Sequence, residues 1–442
     1  MTSIITFLIV ISFLIFIHEL GHLLAAKWAN VKVEAFSIGF GKKLITFKYG
    51  ETEYSLSMLP LGGYVKMHGE ESLSDDSNPN EHPPIEEDRS YKNLPNYKKQ
   101  IILFAGPLMN LLIPFIFFPI IHLSGIEMPK FLDEVPVVGY YENKSENSFF
   151  QENDLILKIN GRDVETWKSL LENKNSFVNN KQEIILVRDF EIQKFDLPKD
   201  SNGNSILDRV YPIQEPVIDQ IIGGSKAEEA GLMKDDIIKE INGTKIYNWY
   251  QISKILNENN VTLFSIKVKR GNNLVSKEVV FLPDNSRKLL GISPLIDLKV
   301  EKLGILASIT TGFNDSVRAT KLIFNGIMGL LSGLFSSDSS MGDIKNSLAG
   351  PIAIAKYSGA AAEKGLNSLL QFMIVISINL GIINLLPIPL LDGGHIFFNS
   401  IEMITRRKIN QKILNFANRI GFAALITLML FAIYNDFVNL VK

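Results

Sequence analysis

Four stretches of this 442-residue chain contain no Asp, Glu, Lys or Arg: residues 1–17, 101–126, 365–391 and 420–435. A helix needs roughly 20 mostly apolar residues to cross a bilayer. The middle two meet that length outright, the first does so by running on through Trp28, and the last with Phe437–Val441. The expected fold class is an α-helical membrane protein with four transmembrane helices. Chain averages conceal this, since the net charge is 45 − 47 = −2 and the mean hydropathy only +0.14. So small a charge argues against a nucleic-acid partner. The first run does not read as a cleaved signal peptide, because no Lys or Arg precedes Lys27 and the run ends in His18-Glu19.

Basic residues in short loops mark the cytoplasmic side. Lys27, Lys32, Lys42, Lys43, Lys48, Lys66, Lys98 and Lys99 lie between the first and second segments; Arg406, Arg407, Lys408, Lys412 and Arg419 lie between the third and fourth. Both loops are expected inside, which puts both termini and the block 127–364 outside. The uncharged run 322–337 is short for a span and is expected as an interfacial amphipathic helix. Residues 70–97 hold eight acidic residues, two basic ones and four Pro, the composition of a solvated loop without a site.

The outer block repeats itself at an offset of 82. DLILKINGRDVETW (154–167) aligns with DIIKEINGTKIYNW (236–249), and Asp154/Asp236, Asn160/Asn242, Gly161/Gly243, Trp167/Trp249 and Arg188/Arg270 match. Each copy carries an apolar strand ending in an Asn-Gly turn, then a helix and a further strand (184–188 and 264–270). The second copy resembles a bacterial PDZ domain through Ser225, Ala227, Ala230, Gly231, Leu232 and Asp236; the first, with SENSFFQEND at 145–154, resembles a diverged one. PDZ domains take extended peptides as an added strand, so peptide ligands are expected partners.

His18-Glu19-Leu20-Gly21-His22 is an HExxH sequence. On a helix, positions i and i+4 share a face, so two imidazoles can reach one ion while the Glu stands beside them as a base. Ionisable residues in a membrane helix are costly and mark a functional site. Two ligands are too few, since catalytic zinc takes three from the protein, and with no Cys in the chain only His and carboxylates remain. The best candidate is Asp392, which ends an uncharged run where Pro387 and Pro389 interrupt the helix. His395 competes but is expected beside the ligands; His68 and His82 fall in the loop and His122 on the far side.

HExxH in the first helix, N-x-x-P-x-x-x-x-D-G (384–393) in the third and two PDZ-like modules between them resemble the site-two protease family of intramembrane zinc metalloproteases. GFG at 39–41, LGGYVKM at 61–67 and AGPLMN at 105–110 extend the resemblance along nearly the whole chain. It implies one Zn2+ held by His18, His22 and Asp392, Glu19 as catalytic base, and Asn384, with Asn379 nearby, as substrate-contacting residues. It departs at Lys42, where the family has Pro. The activity implied is regulated intramembrane proteolysis of transmembrane-helix substrates, such as an anti-sigma factor after a first cut or signal-peptide remnants, in the bacterial inner membrane. The PDZ modules would lie in the periplasm and the zinc towards the cytoplasmic side.

The expected organisation is 1–28 as the first span; 29–100 as a membrane-associated β region with the acidic loop; 101–126 as the second span; 127–205 and 206–298 as the PDZ-like α+β domains. It continues with 299–364 as interfacial helices, 365–394 as the third span, 395–419 as a cytoplasmic loop and 420–442 as the fourth span. Within 32–67, VKVEAFSI, KLITFKY and TEYSLSM read as short strands whose edge suits an unwound substrate. The competing class, a non-catalytic PDZ scaffold with a structural zinc, would need the ligands but not Glu19. A transporter is disfavoured by four spans without an inverted repeat.

Overall fold

A computed structural model describes residues 2–69, 88–142, 149–178, 181–199, 203–258, 262–281, 288–335 and 350–441; His82, most of the acidic loop and the stretch 145–148 of the first module lie outside these. The chain forms two units, residues 1–126 with 302–442, and residues 127–301. It begins with α1 (Thr2–Trp28), strands β1 (Val33–Tyr49) and β2 (Thr52–Met67), and α2 (Asn96–Ser124). Residues 127–301 contribute the short helices α3 (Trp167–Asn173), α4 (Lys226–Glu229) and α5 (Tyr250–Glu258). The chain then continues as α6 (Ile305–Phe335), α7 (Pro351–Glu363), α8 (Leu366–Leu385), α9 (Asp392–Thr405) and α10 (Gln411–Val441).

Among the described residues four helices are long and apolar enough to cross a membrane: α1, α2, α8 and α10. Their ends differ from the expected ones. Helix α2 starts at Asn96 and stops at Ser124, where Gly125 turns the chain at φ 110°. The expected loop 395–419 is mostly helical, because IFFNSIEMIT carries apolar residues at helical spacing until Arg406 closes α9 at φ 55°. Helix α10 then begins at Gln411 rather than 420. Residues 322–335 of the expected interfacial run are likewise the second half of a longer helix, α6. Asp315, in the first half of that helix, meets His122 of α2 at 2.9 Å.

Helix α2 is the hub of this unit. Gly21 of α1 packs where a Cβ would lie 2.7 Å from the Ala105 carbonyl carbon, and Gly381 of α8 where one would lie 2.9 Å from Leu111. Small residues allow such approach between membrane helices, where dispersion replaces the hydrophobic drive. Ser377 Oγ donates to the Asn110 carbonyl at 2.8 Å, tying α8 to α2, and Asn399 Nδ2 donates to the Asn96 carbonyl at 3.0 Å, tying α9 to it. Val10, Leu14, Ile121, Ile374 and Ile378 fill the space between.

β1 and β2 fold into four antiparallel segments. Residues 35–38 pair with 53–56 on one side and with 63–66 on the other, while 43–49 pair with 52–57. The three short strands read from the sequence are all present, and 63–66 adds a fourth. Gly39 and Gly41, at φ 90° and 86°, break the first strand, and the segment from Lys43 still forms its ladder beyond Lys42. Phe40, Leu44, Ile45, Phe47, Met58 and Leu59 are exposed on this sheet. At its base burial works against the charge of Glu34, yet hydrogen bonds from His68 and Lys66 hold its carboxyl below the usual range.

The second unit contains the repeat. Strands β3 (Leu155–Ile159), β4 (Arg162–Asp163), β5 (Lys181–Arg188) and β6 (Glu191–Pro198) form a sheet ordered β4-β3-β5-β6. Strands β7 (Ile237–Ile241), β8 (Thr244–Lys245), β9 (Leu263–Arg270) and β10 (Asn273–Val280) repeat that order as β8-β7-β9-β10. Asn160 and Asn242 both sit at φ 49°, and each is followed by a Gly at positive φ, the turn that suits strand twist. Ile156/Ile238, Ile159/Ile241, Ile184/Ile266 and Leu197/Val279 are buried pairs at the repeat offset.

The offset holds for a polar network too. Arg188 clasps Asp154 at 2.8 and 2.6 Å and donates to the Phe149 carbonyl; Arg270 clasps Asp236 at 2.8 Å twice and donates to the Gly231 carbonyl. Both carboxylates are buried and both guanidiniums reach solvent in part, so hydrogen bonds to these charged groups contribute about 1.5–3 kcal/mol. Ile206, Leu207 and Val210 belong to the first core, and Tyr140–Tyr141 pairs with Val210–Tyr211. The first module therefore runs past 205, because its closing strand comes from beyond that point.

Candidate metal centre

One turn of α1 separates His18 from His22, and the chain brings Asp392 to them from the start of α9. His18 Nε2 lies 3.2 Å from His22 Nε2 and 3.1 Å from Asp392 Oδ2, while His22 Nε2 lies 3.5 Å from Asp392 Oδ1. Zinc bonds of 2.0–2.1 Å to such donors give a tetrahedral edge of about 3.3–3.4 Å. The triangle has that size, so the donors fit a zinc ion without rearrangement. Among the described residues these three form the one group of His and carboxylates able to hold a metal.

Helix α2 sets the direction of the imidazoles. His22 Nδ1 lies 2.8 Å from the Ile102 carbonyl, and a carbonyl only accepts, so Nδ1 carries the proton and Nε2 presents its lone pair to the site. His18 Nδ1 lies 3.3 Å from the side-chain amide of Asn110. Between them, a Cβ on Gly106 would lie 2.7 Å from Cε1 of His22, 2.8 Å from Cδ2, and nearer still to Nε2. Ile102, Gly106 and Asn110 are spaced by four and form one stripe of α2 facing the HExxH turn.

Asp392 owes its place to a break in the helix. The chain leaves α8 at Leu385, passes through Pro387 and Pro389, and holds Leu390 at φ 77° before α9 starts at Asp392. A bulky residue at positive φ is strained, and such strain gathers at functional sites. Gly393 and Gly394 follow because a Cβ on either would press into the backbone of residues 385–389. The positive end of α9 favours a carboxylate at its first residue.

Glu19 is half-buried and makes no side-chain hydrogen bond among the described residues. Gly63 of β2 is its neighbour, with room for a Cβ only 2.8 Å from Glu19 Cγ. Asn384 and Asn379 are half-buried on α8, Asn384 in its last turn, and neither side chain is hydrogen-bonded among the described residues. His395 is exposed on α9 and is not part of the donor group; His68 pairs with Glu34 at 2.9 Å and His122 with Asp315. The sequence reading missed Ile102, Gly106 and Asn110. AGPLMN stood out there only as a motif, although its spacing of four carried the signal.

The sequence profile of peptidase family M50 matches residues 6–428. The chain is 33% identical to the regulator of sigma E protease of Haemophilus influenzae, over 98% of each chain. It is 35% identical to a Campylobacter jejuni protein whose name includes the words zinc metalloprotease, over 97% of this chain and 91% of the relative. It is 30% identical to the regulator of sigma-E protease RseP of Escherichia coli, over 98% of each.

Proposed function

The chain belongs to peptidase family M50 and is a site-two-type zinc metalloprotease of the membrane, and from that premise we propose how its residues divide the work. His18, His22 and Asp392 hold the zinc and Glu19 is the base. The observation that carries this is the donor triangle of 3.1–3.5 Å beside a Glu without a hydrogen bond of its own among the described residues. Zinc, when bound, supplies Lewis acidity, polarising a peptide carbonyl and acidifying water to a pKa of about 7.

The chain's own residues do the rest. Glu19 takes a proton from the attacking water and delivers it to the leaving amine. Its side chain has room for both positions because Gly63 presents no Cβ there. A transmembrane helix hides its carbonyls in internal hydrogen bonds, so the substrate must unwind, and its freed groups then need partners in a site without bulk water. Gly63–Val65 is one edge of the β1–β2 sheet among the described residues and lies beside Glu19, which supports its serving as the strand that receives the unwound substrate. Asn384 and Asn379 bond further freed backbone.

The substrates in this reading are single-pass membrane proteins: anti-sigma-factor-like proteins already trimmed outside, and signal-peptide remnants. The paired PDZ-like modules lie in the periplasm with both termini, exclude substrates with bulky outer domains and offer grooves to peptides. The zinc lies towards the cytoplasmic face of the inner membrane. Reconstitution tests this. Cleavage within the membrane segment of a single-pass substrate, abolished by a zinc chelator and dependent on a short outer domain, is the expected result. Equal cleavage of substrates with large folded outer domains would refute the exclusion.

A further inference from the structure

Asn110 sits in the middle of α2 at 1% exposure, in a membrane helix where each buried polar group needs a partner. Its carboxamide meets His18 Nδ1 through Nδ2 at 3.3 Å, while its Oδ1 is buried without a hydrogen-bond partner among the described residues. The two ends of a carboxamide are nearly isosteric and exchange by a half-turn about χ2. If His18 is to offer the Nε2 lone pair to a metal, its Nδ1 must carry the proton, and the group facing Nδ1 must accept. Oδ1 of Asn110 is an acceptor without a partner at that position. His22 shows the same arrangement in backbone form, with the Ile102 carbonyl accepting from Nδ1 at 2.8 Å.

We propose that Asn110 is the positioning residue of His18: its carboxamide oxygen accepts the Nδ1 proton and fixes the tautomer and ring direction that make Nε2 a metal ligand. This rests on the reading of His18 as a ligand. The backbone that carries the carboxamide is itself tied, because Ser377 of α8 donates to the Asn110 main-chain carbonyl at 2.8 Å. The last helix before Asp392 and the group that aims His18 are thus fixed at one residue of α2.

The test is zinc affinity of the purified full-length protein, measured by competition with a chromophoric chelator. Asn110→Leu keeps the volume and removes the acceptor, and should weaken zinc binding by about 10–100-fold, as loss of such partners does elsewhere. Asn110→Asp keeps an acceptor and no donor, and should bind zinc close to the parent. In a His18→Ala background Asn110→Leu should add no further loss, whereas a merely structural defect would add its full cost again. Parent-like zinc binding by Asn110→Leu, equal losses in the Leu and Asp variants, or a further loss in the His18→Ala background would each overturn the proposal. If His18→Ala itself binds zinc like the parent, the ligand reading fails and this inference falls with it. If His18→Ala loses zinc while Asn110→Leu does not, only the positioning role falls.

Discussion

Gly106→Ala should disable the metal centre without touching a ligand. A methyl carbon needs about 3.4 Å of clearance from a ring carbon. The new Cβ would lie 2.7 Å from Cε1 of His22, so the ring or helix α2 must yield by at least about 0.7 Å. Metal–ligand distances tolerate about 0.2 Å. His22 cannot move that far and keep both its 2.8 Å bond to Ile102 and its place in the donor triangle. Overpacking of this kind costs about 1–3 kcal/mol, which at 1.4 kcal/mol per decade is roughly 5–150-fold in zinc affinity. Chelator competition reads the affinity, and circular dichroism of the same samples reports whether the helices persist. A Gly106→Ala protein with intact helices and parent-like zinc affinity would refute the claim that α2 aims His22.

Other outcomes follow from the same geometry. Gly63→Val should press on Glu19 Cγ and lower kcat by tenfold or more while leaving zinc stoichiometry at one, which metal analysis and turnover of a reconstituted substrate would show. Asp236→Ala should destabilise the second module by about 1.5–3 kcal/mol, read by Trp249 fluorescence in chemical denaturation of a full-length chain whose other tryptophans are replaced by Phe. Burial opposes the charge of Asp236, but the Arg270 guanidinium holds its carboxyl below the ordinary 3.8. A depressed carboxyl contributes stability above its unfolded value and loses it as pH falls through the folded one. The second module should therefore keep this contribution at pH 5 and lose it only below about 3.8 in an acid titration of the same fluorescence. Substrates with helix-breaking residues near the scissile bond should be cut faster than Leu-only segments; equal rates on both would remove the need for unwinding.

Much of this molecule is legible in its sequence where local periodicity carries the information. His18 and His22 declare a shared face by their spacing alone, and Asp392 stands out as a lone carboxylate ending an uncharged run. The repeat is legible because Asp154/Asp236 and Arg188/Arg270 are side chains, and the structure pairs them at the same offset. What escapes the sequence is set by backbone and by packing over long separations. The Ile102 carbonyl that aims His22 leaves no trace in residue type, and Gly106 matters only because an imidazole from α1 lies on it. The loop reading of 395–419 failed for a related reason. A basic cluster at 406–408 is a charge pattern, and charge says nothing of the helices on either side of it.

The central claim is that Glu19 is the base of a zinc centre built by His18, His22 and Asp392. The most direct measurement is Glu19→Gln, with bound zinc and cleavage of a membrane-embedded substrate determined on one preparation. One zinc per chain with cleavage reduced by several orders of magnitude is the predicted result. Zinc retained with cleavage unchanged would contradict it.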